Sequence, residues 1–111
     1  MEGDGGVRLS RILVAGESMC PTLRPGDWLL VKAPPTLLAG KVVLARRPDR
    51  PQLLVVKRLA RQCPAGWWLL GDNEQASDDS RAFGPVPAEL IIASVLFRYG
   101  PPSRGIGRVT R

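Results

Sequence analysis

Prolines and glycines interrupt this chain at short intervals: eleven prolines and twelve glycines are spread over 111 residues. Proline fixes φ and removes a backbone donor, and glycine weakens regular elements, so the chain has room for short strands joined by turns and little room for helix. Apolar or alternating stretches fall between the interruptions at Arg8–Ala15, Trp28–Lys32, Gly40–Ala45, Gln52–Ala60, Gly66–Leu70 and Leu90–Tyr99. Six short strands at this spacing predict a mainly β fold, a compact half-open antiparallel β-barrel with little helix beyond a turn near Pro87–Leu90. At this length the chain is expected to form one domain over residues 1–111, with a loose N-terminus at 1–7 and a flexible Pro-, Gly- and Arg-rich tail at 100–111.

Composition narrows the chemistry. There is no histidine, which removes Ser-His-Asp and Cys-His catalysis, and with only Cys20 and Cys63 it removes the common zinc sites as well. Neither a metal nor any other cofactor is expected. Two cysteines do not make a disulfide framework, so the redox compartment stays open, with a reduced cytosol slightly preferred. The net charge of +6 comes largely from thirteen arginines scattered from Arg8 to Arg111. Without a dense basic block it reads as a solvated surface, and nucleic-acid binding is not expected. No stretch approaches the roughly 18 apolar residues of a membrane span, and Met1–Gly6 is unlike a signal peptide. A soluble, cytoplasmic protein is the expectation, membrane-associated if an anchor is missing from this chain.

The segment Gly16-Glu17-Ser18-Met19-Cys20-Pro21-Thr22-Leu23-Arg24-Pro25-Gly26-Asp27 crosses between the first two strands. Its prolines and Gly26 make a tight turn that presents Ser18 rigidly. Such a serine is either a turn hydroxyl bonded to local backbone or a nucleophile. A nucleophilic serine without histidine needs another base, and lysine is the substitute, because arginine does not lose its proton in a protein. The chain has three lysines. Lys32 and Lys41 border Pro or Gly interruptions and reach solvent easily. Lys57 is set in a strand with apolar neighbours on both faces, Leu53, Val55 and Leu59 on its own side and Leu54, Val56 and Ala60 on the other. It either snorkels to water or is desolvated, in which case its pKa falls from about 10.4 toward the range a general base uses.

The stretch from Gly71 to Val86 is a long polar loop. A calcium site would need alternating carboxylates and a final bidentate Glu, which it lacks. Ser77 could orient a neutral lysine, and Asp79 could pair with Arg81 to brace the loop.

Three blocks, Ser18-Met19-Cys20-Pro21-Thr22-Leu23 with Gly26-Asp27, then Val56-Lys57-Arg58, then Gly71-Asp72-Asn73 through Ser77, Asp79-Ser80-Arg81 and Phe83-Gly84-Pro85-Val86, resemble the type I signal peptidase family of Ser-Lys proteases. The resemblance covers about Val14 to Ala93, in order. It implies a serine-type endopeptidase with Ser18 as nucleophile, Lys57 as general base and Ser77 as the hydroxyl bonded to that lysine. Asp79 and Arg81 match a structural ion pair beside the site, with Asp72 and Asn73 in a supporting block. The related LexA-like repressors lack the Gly-Asp-Asn block.

Two departures bear on function. Some family members place a serine two residues before the nucleophile to complete the oxyanion hole, and here Gly16 stands there, which leaves the oxyanion to the Ser18 amide and a neighbouring backbone donor in the Gly16–Met19 stretch. Only 13 residues separate Lys57 from Gly71, too few for the large inserted β-domain of many bacterial signal peptidases. A minimal member without an anchor is similar to the nickel-type superoxide dismutase maturation proteases. The resemblance therefore implies a precursor protein or leader peptide as partner, the nickel superoxide dismutase precursor foremost. The alternatives are a signal peptidase domain acting on exported preproteins and a non-catalytic peptide- or nucleic-acid-binding module. The substrate would add as an extended strand near residues 12–17 and 53–57, with shallow pockets for small side chains before the cut. Cys20 reads as a small packing residue.

Overall fold

A computed structural model describes residues 6–76, 78–101 and 105–108. Among the described residues, seven strands form one antiparallel sheet: β1 (Arg8–Leu13), β2 (Trp28–Ala33), β3 (Val42–Arg46), β4 (Leu54–Cys63), β5 (Gly66–Leu70), β6 (Ile91–Gly100) and β7 (Gly107–Arg108). Their order is β1-β2-β6-β3-β4-β5, with β7 on β6. The sheet curls without closing, as the mainly β, half-open reading expected. β1 stops at Leu13 rather than Ala15, β3 starts at Val42 rather than Gly40, and β4 runs on to Cys63 rather than Ala60.

β3 sits in the middle because it is apolar on both faces. Val42 and Leu44 enter one core cluster with Val14, Met19, Leu23, Leu29, Val31 and Val95. Val43 and Ala45 enter a second with Leu59, Trp67, Leu69, Val86 and Ile91. A strand covered on both sides reads as a continuous apolar run rather than an alternation. Met19 and Leu23, inside the crossing segment, are almost fully buried. Burial of two such side chains, worth roughly 1.5–3 kcal/mol each, anchors the turn that carries Ser18.

The polar loop after β5 is folded back along the outer edge of that strand. Alternate amides of this edge are satisfied in turn: Trp67 donates to the Val86 carbonyl at 2.8 Å, Leu69 to Ser80 Oγ at 2.8 Å and Gly71 to Asp79 Oδ2 at 2.9 Å. An exposed sheet edge is thereby covered, and buried amides keep partners. Within the loop lies a four-residue helix, α1 (Ser80–Phe83), capped by the Asp79 side chain at one end and Gly84 at the other. The sequence reading has no helix there, because one turn shows no 3.6-residue period. A 3-10 turn covers Ala88–Leu90, where a turn is expected, and another covers Glu74–Ala76. In the C-terminal stretch, Gly107 and Arg108 pair with Arg98 and Phe97.

Gly66 opens β5 at φ +143°, and a Cβ on it would collide with the Val86 carbonyl and lie 2.9 Å from Pro87 Cα. Both obstacles are backbone held by the Trp67–Val86 bridge. Gly66→Ala is therefore expected to destabilise the fold by at least about 2 kcal/mol, read as a lower urea midpoint at unchanged m-value.

Candidate active site

The crossing segment is closed at its neck by two backbone bonds, from the Val14 amide to the Asp27 carbonyl at 2.8 Å and from the Gly26 amide to the Val14 carbonyl at 2.9 Å. Gly26 adopts φ +92°, a turn geometry that suits glycine. Inside the loop the Leu23 amide donates to the Met19 carbonyl at 2.9 Å, and the buried Asp27 carboxylate accepts from the Arg24 amide at 2.9 Å. Ser18 is thus fixed at the rim of the open sheet.

Lys57 arrives from β4, opposite Val43 of β3. It is 4% exposed, and its Nζ donates to Ser18 Oγ at 2.6 Å across 39 positions of sequence. Burial pulls its pKa below the ordinary lysine value of 10.5; the nearby Asp79 and Asp78 carboxylates oppose this, and the Arg47 guanidinium adds to it. The half-exposed, snorkelling alternative does not describe this side chain.

The Gly-Asp-Asn block holds the two halves of the pair together. The Asn73 amide donates to the Ser18 carbonyl at 2.8 Å, and Asn73 Nδ2 to the Glu17 carbonyl at 3.1 Å. Asp72 accepts from Thr22 Oγ1 of the crossing at 2.6 Å and, with both oxygens, from Arg58, the neighbour of Lys57 on β4, at 2.9 and 2.7 Å. The Asp72 amide points at Met19 Sδ, 3.4 Å away. Asp72 and Asn73 therefore bind the scaffold under Ser18 and Lys57. Thr22 and Arg58 are the partners that the sequence reading missed. Arg58 could have been noticed, since it is an arginine beside a buried lysine, and such a position calls for a carboxylate on the opposite face of the strand.

Asp79 is fully buried and carries a bidentate ion pair from Arg81, at 3.0 and 2.8 Å, besides the Gly71 and Arg81 amides. Burial alone would raise its pKa; the Arg81 pair and the two amides outweigh that and hold it below the ordinary value of 3.8. Ser77 lies outside the described residues.

Ser18 and Lys57 line a cavity of about 300 Å³, walled by Ile12, Val14, Gly16, Leu44, Leu54 and Val56. It runs between two strand edges. β1 ends the sheet on one side. On the other, among the described residues, the ladder from β5 meets β4 only from Arg58 onward, so residues 54–57 present an edge to the cavity. Gly16 borders it, and a Cβ there would meet nothing within 4 Å. A larger cavity of about 470 Å³ lies beside the Arg58–Asp72 pair and contains neither Ser18 nor Lys57; the hydroxyl and amine in contact, not the volume, mark the first as the candidate site.

The family described as Peptidase S24-like matches residues 8–84. This chain belongs to the S24-like peptidase family. As an S24-like peptidase it has relatives among organelle proteases. It is 36% identical to the mitochondrial ATP-independent inner membrane protease subunit 1a of Arabidopsis thaliana, over 85% of this chain and 72% of that protein. It is 32% identical to the mitochondrial inner membrane protease subunit 1 of Xenopus tropicalis, covering 81% and 68% of the two chains. The identity is also 32% to subunit 2 of that protease in Saccharomyces cerevisiae, over 82% and 68%. Among the described residues of this S24-like peptidase, no helix is long and apolar enough to cross a membrane.

Proposed function

We propose that this chain is a serine-type endopeptidase working through a Ser18–Lys57 dyad and removing an N-terminal leader from a precursor protein. The observation that carries the reading is the 2.6 Å contact between Ser18 Oγ and the buried Lys57 Nζ in a chain without histidine. Neutral Lys57 takes the Ser18 proton as the hydroxyl attacks the scissile carbonyl, then passes it to the leaving amine; water, deprotonated by the same amine, releases the acyl-enzyme. Backbone amides in the Gly16–Met19 stretch face the oxyanion. The precursor lies extended between the free edges of residues 12–16 and 54–57, where main-chain hydrogen bonds hold it irrespective of sequence.

Two substrate readings follow. The compact form, with its short link between Lys57 and Gly71, supports the nickel superoxide dismutase precursor. The relatives support a second reading, because their names place them as subunits of an inner membrane protease: this chain then processes exported preproteins at a membrane. Incubating the purified full chain separately with a nickel superoxide dismutase precursor and with an exported preprotein, and mapping new amino termini by mass spectrometry, distinguishes them. Cleavage of neither, under conditions where the protein is folded, counts against both.

The pH profile follows from the lowered Lys57 pKa. A protonated amine cannot accept the serine proton, so kcat/KM is expected to rise with pH and level off, with the midpoint of the rise below the 10.5 of an ordinary lysine. A profile with an acidic optimum contradicts a neutral-lysine base. Since the space beside Gly16 is open, Gly16→Ser is expected to fold normally and to raise kcat by up to about tenfold by adding a hydroxyl donor at the oxyanion; a lowered kcat would place the oxyanion elsewhere.

A further inference from the structure

The chain carries its positive charge almost entirely on arginine, thirteen residues against three lysines. One of the lysines is Lys57. The other two, Lys32 and Lys41, come together at a cavity of about 310 Å³ that shares no lining residue with the one at Ser18. Lys32 lies near the end of β2 and Lys41 one residue before β3, and because β6 separates those two strands the connection 34–40 has to cross it.

One buried hydroxyl fastens that connection to the sheet. Ser94 of β6 is 4% exposed; its Oγ accepts from the Thr36 amide at 2.7 Å and donates to the Thr36 carbonyl at 3.3 Å. Thr36 Oγ1 in turn accepts from Lys32 Nζ at 3.1 Å, which engages one of the three ammonium hydrogens and leaves two to donate. Lys41 is held through its backbone, its amide donating to the Leu38 carbonyl at 3.1 Å and its carbonyl accepting from the Leu59 amide at 2.8 Å. The apolar wall comes from a bulge. β6 pairs Val95 with Val31 and Phe97 with Leu30, so Leu96 is an extra residue between two consecutive positions of β2. A bulge of this kind re-aims side chains, and Leu96 and Phe97 both line the cavity.

Charge decides what such a cavity takes. Arg47, Arg58 and Arg81 each pair with an aspartate, whereas among the described residues neither Lys32 nor Lys41 joins an ion pair, and no acidic residue lines the cavity. Two like charges on one concave surface repel each other, and an anion between them reverses the sign of that interaction. The residue type narrows the anion. A guanidinium fork matches a planar carboxylate, while an ammonium is a compact charge with three rotatable donors and suits the tetrahedral oxygens and nearly double charge of a phosphate. The volume is about ten times the roughly 30 Å³ that a water molecule occupies in the liquid, more than a bare phosphate fills, and the remainder is bordered by Leu96 and Phe97.

We propose that Lys32 and Lys41 form a phosphate-binding site between the β2–β3 connection and β6, which takes the phosphate of an ester whose organic part packs on Leu96 and Phe97. The site does not depend on the dyad reading, since neither Ser18 nor Lys57 borders it.

The test uses the full-length protein and no substrate. Lysine labelled with 13C at Cε gives three NMR signals in this chain. On titration with phenyl phosphate, those of Lys32 and Lys41 are expected to move to a common saturation while that of Lys57 stays in place. Inorganic phosphate should bind at least about tenfold more weakly, for want of the ring. Lys32→Gln and Lys41→Gln should each weaken phenyl phosphate binding at least about tenfold, whereas Arg50→Gln, which removes the same charge from an exposed position, should change it by less than about twofold. Co-sedimentation with phosphatidylcholine vesicles, with and without phosphatidylglycerol, identifies the source of the phosphate. Retention by the anionic vesicles that both lysine variants abolish and Arg50→Gln does not makes it a lipid headgroup, and phenyl phosphate binding without such retention makes it a soluble ester. Shifts that fail to saturate, shifts shared equally by Lys57, or a loss as large in Arg50→Gln as in the lysine variants would report only the net charge of +6 and overturn the proposal; inorganic phosphate binding as tightly as phenyl phosphate overturns the ester. Should a lysine variant not fold, the parent still decides, because a diffuse attraction for anions does not single out two lysines of three.

Discussion

Ser18→Ala and Lys57→Met should each lower precursor cleavage by at least about 10³-fold, and the double replacement should cost scarcely more than either alone. The non-additivity is the informative part. A hydroxyl whose proton has no acceptor and an amine with no hydroxyl to deprotonate leave the same residual catalysis, that of a peptide held against backbone donors. Additive losses would instead mean that Ser18 and Lys57 act at separate steps. The same lysine variant makes a second, opposite prediction. Lys57 has a folded-state pKa below its ordinary value, so between those two pKa values the unfolded chain binds more protons than the folded one, and stability rises with pH through that window. At any pH below the ordinary value of 10.5 some cost of burying a protonatable amine is present. Lys57→Met keeps the apolar stem and removes that cost, so its Tm at pH 7 should exceed that of the parent even as cleavage collapses. Activity lost together with a lower Tm at pH 7 would mean that Lys57 is structural.

Short-range signals made most of this site legible. The proline and glycine interruptions mark the strands, and two sets of apolar neighbours single out Lys57 among three lysines. The composition removes the histidine mechanisms before any geometry is needed. The sheet order could not be read, because β6 inserts between β2 and β3 and nothing local to any strand encodes that insertion. Nor could the partner of Arg58 or the Arg47–Asp78 pair be read, since each joins residues whose proximity exists only once β3, β4 and the loop after β5 have packed. The Asp-Asn pair of the Gly71 block illustrates the difference. As sequence it is a recognisable supporting block without a mechanism. In the fold it is the tie between the Ser18 turn and the Lys57 strand, made by Asn73 to the Ser18 carbonyl and by Asp72 to Thr22 and Arg58. The helix at Ser80–Phe83 did leave a trace, an Asp cap and a Gly stop around four residues, but one too short to outweigh the polar character of its surroundings.

Asp79→Ala should be the most destabilising of the polar replacements, at about 3 kcal/mol or more. The Asp79 carboxylate is fully buried and does three things at once. It accepts the Gly71 amide at the end of β5, caps α1 through the Arg81 amide, and receives the Arg81 guanidinium on both oxygens. Deleting it strands the buried Gly71 donor, removes a helix cap and leaves a half-exposed arginine that can turn to water, so the loss falls on the covered edge of β5 rather than on the ion pair as such. The depressed pKa gives the stability a pH signature. A carboxylate held lower in the folded state contributes stability that is complete above its unfolded value near 3.8 and is lost as pH falls through the folded value. The parent should therefore lose stability on acidification below about pH 4 more steeply than Asp79→Ala does, and equal slopes would show that the carboxylate is not charged in the fold. The same charge also raises the pKa of Lys57. Asp79→Asn, milder on the fold, should thus shift the rise of kcat/KM to lower pH while lowering the urea midpoint, an anticorrelation expected only if this carboxylate both braces the loop after β5 and opposes, through its field, the neutral state of the amine.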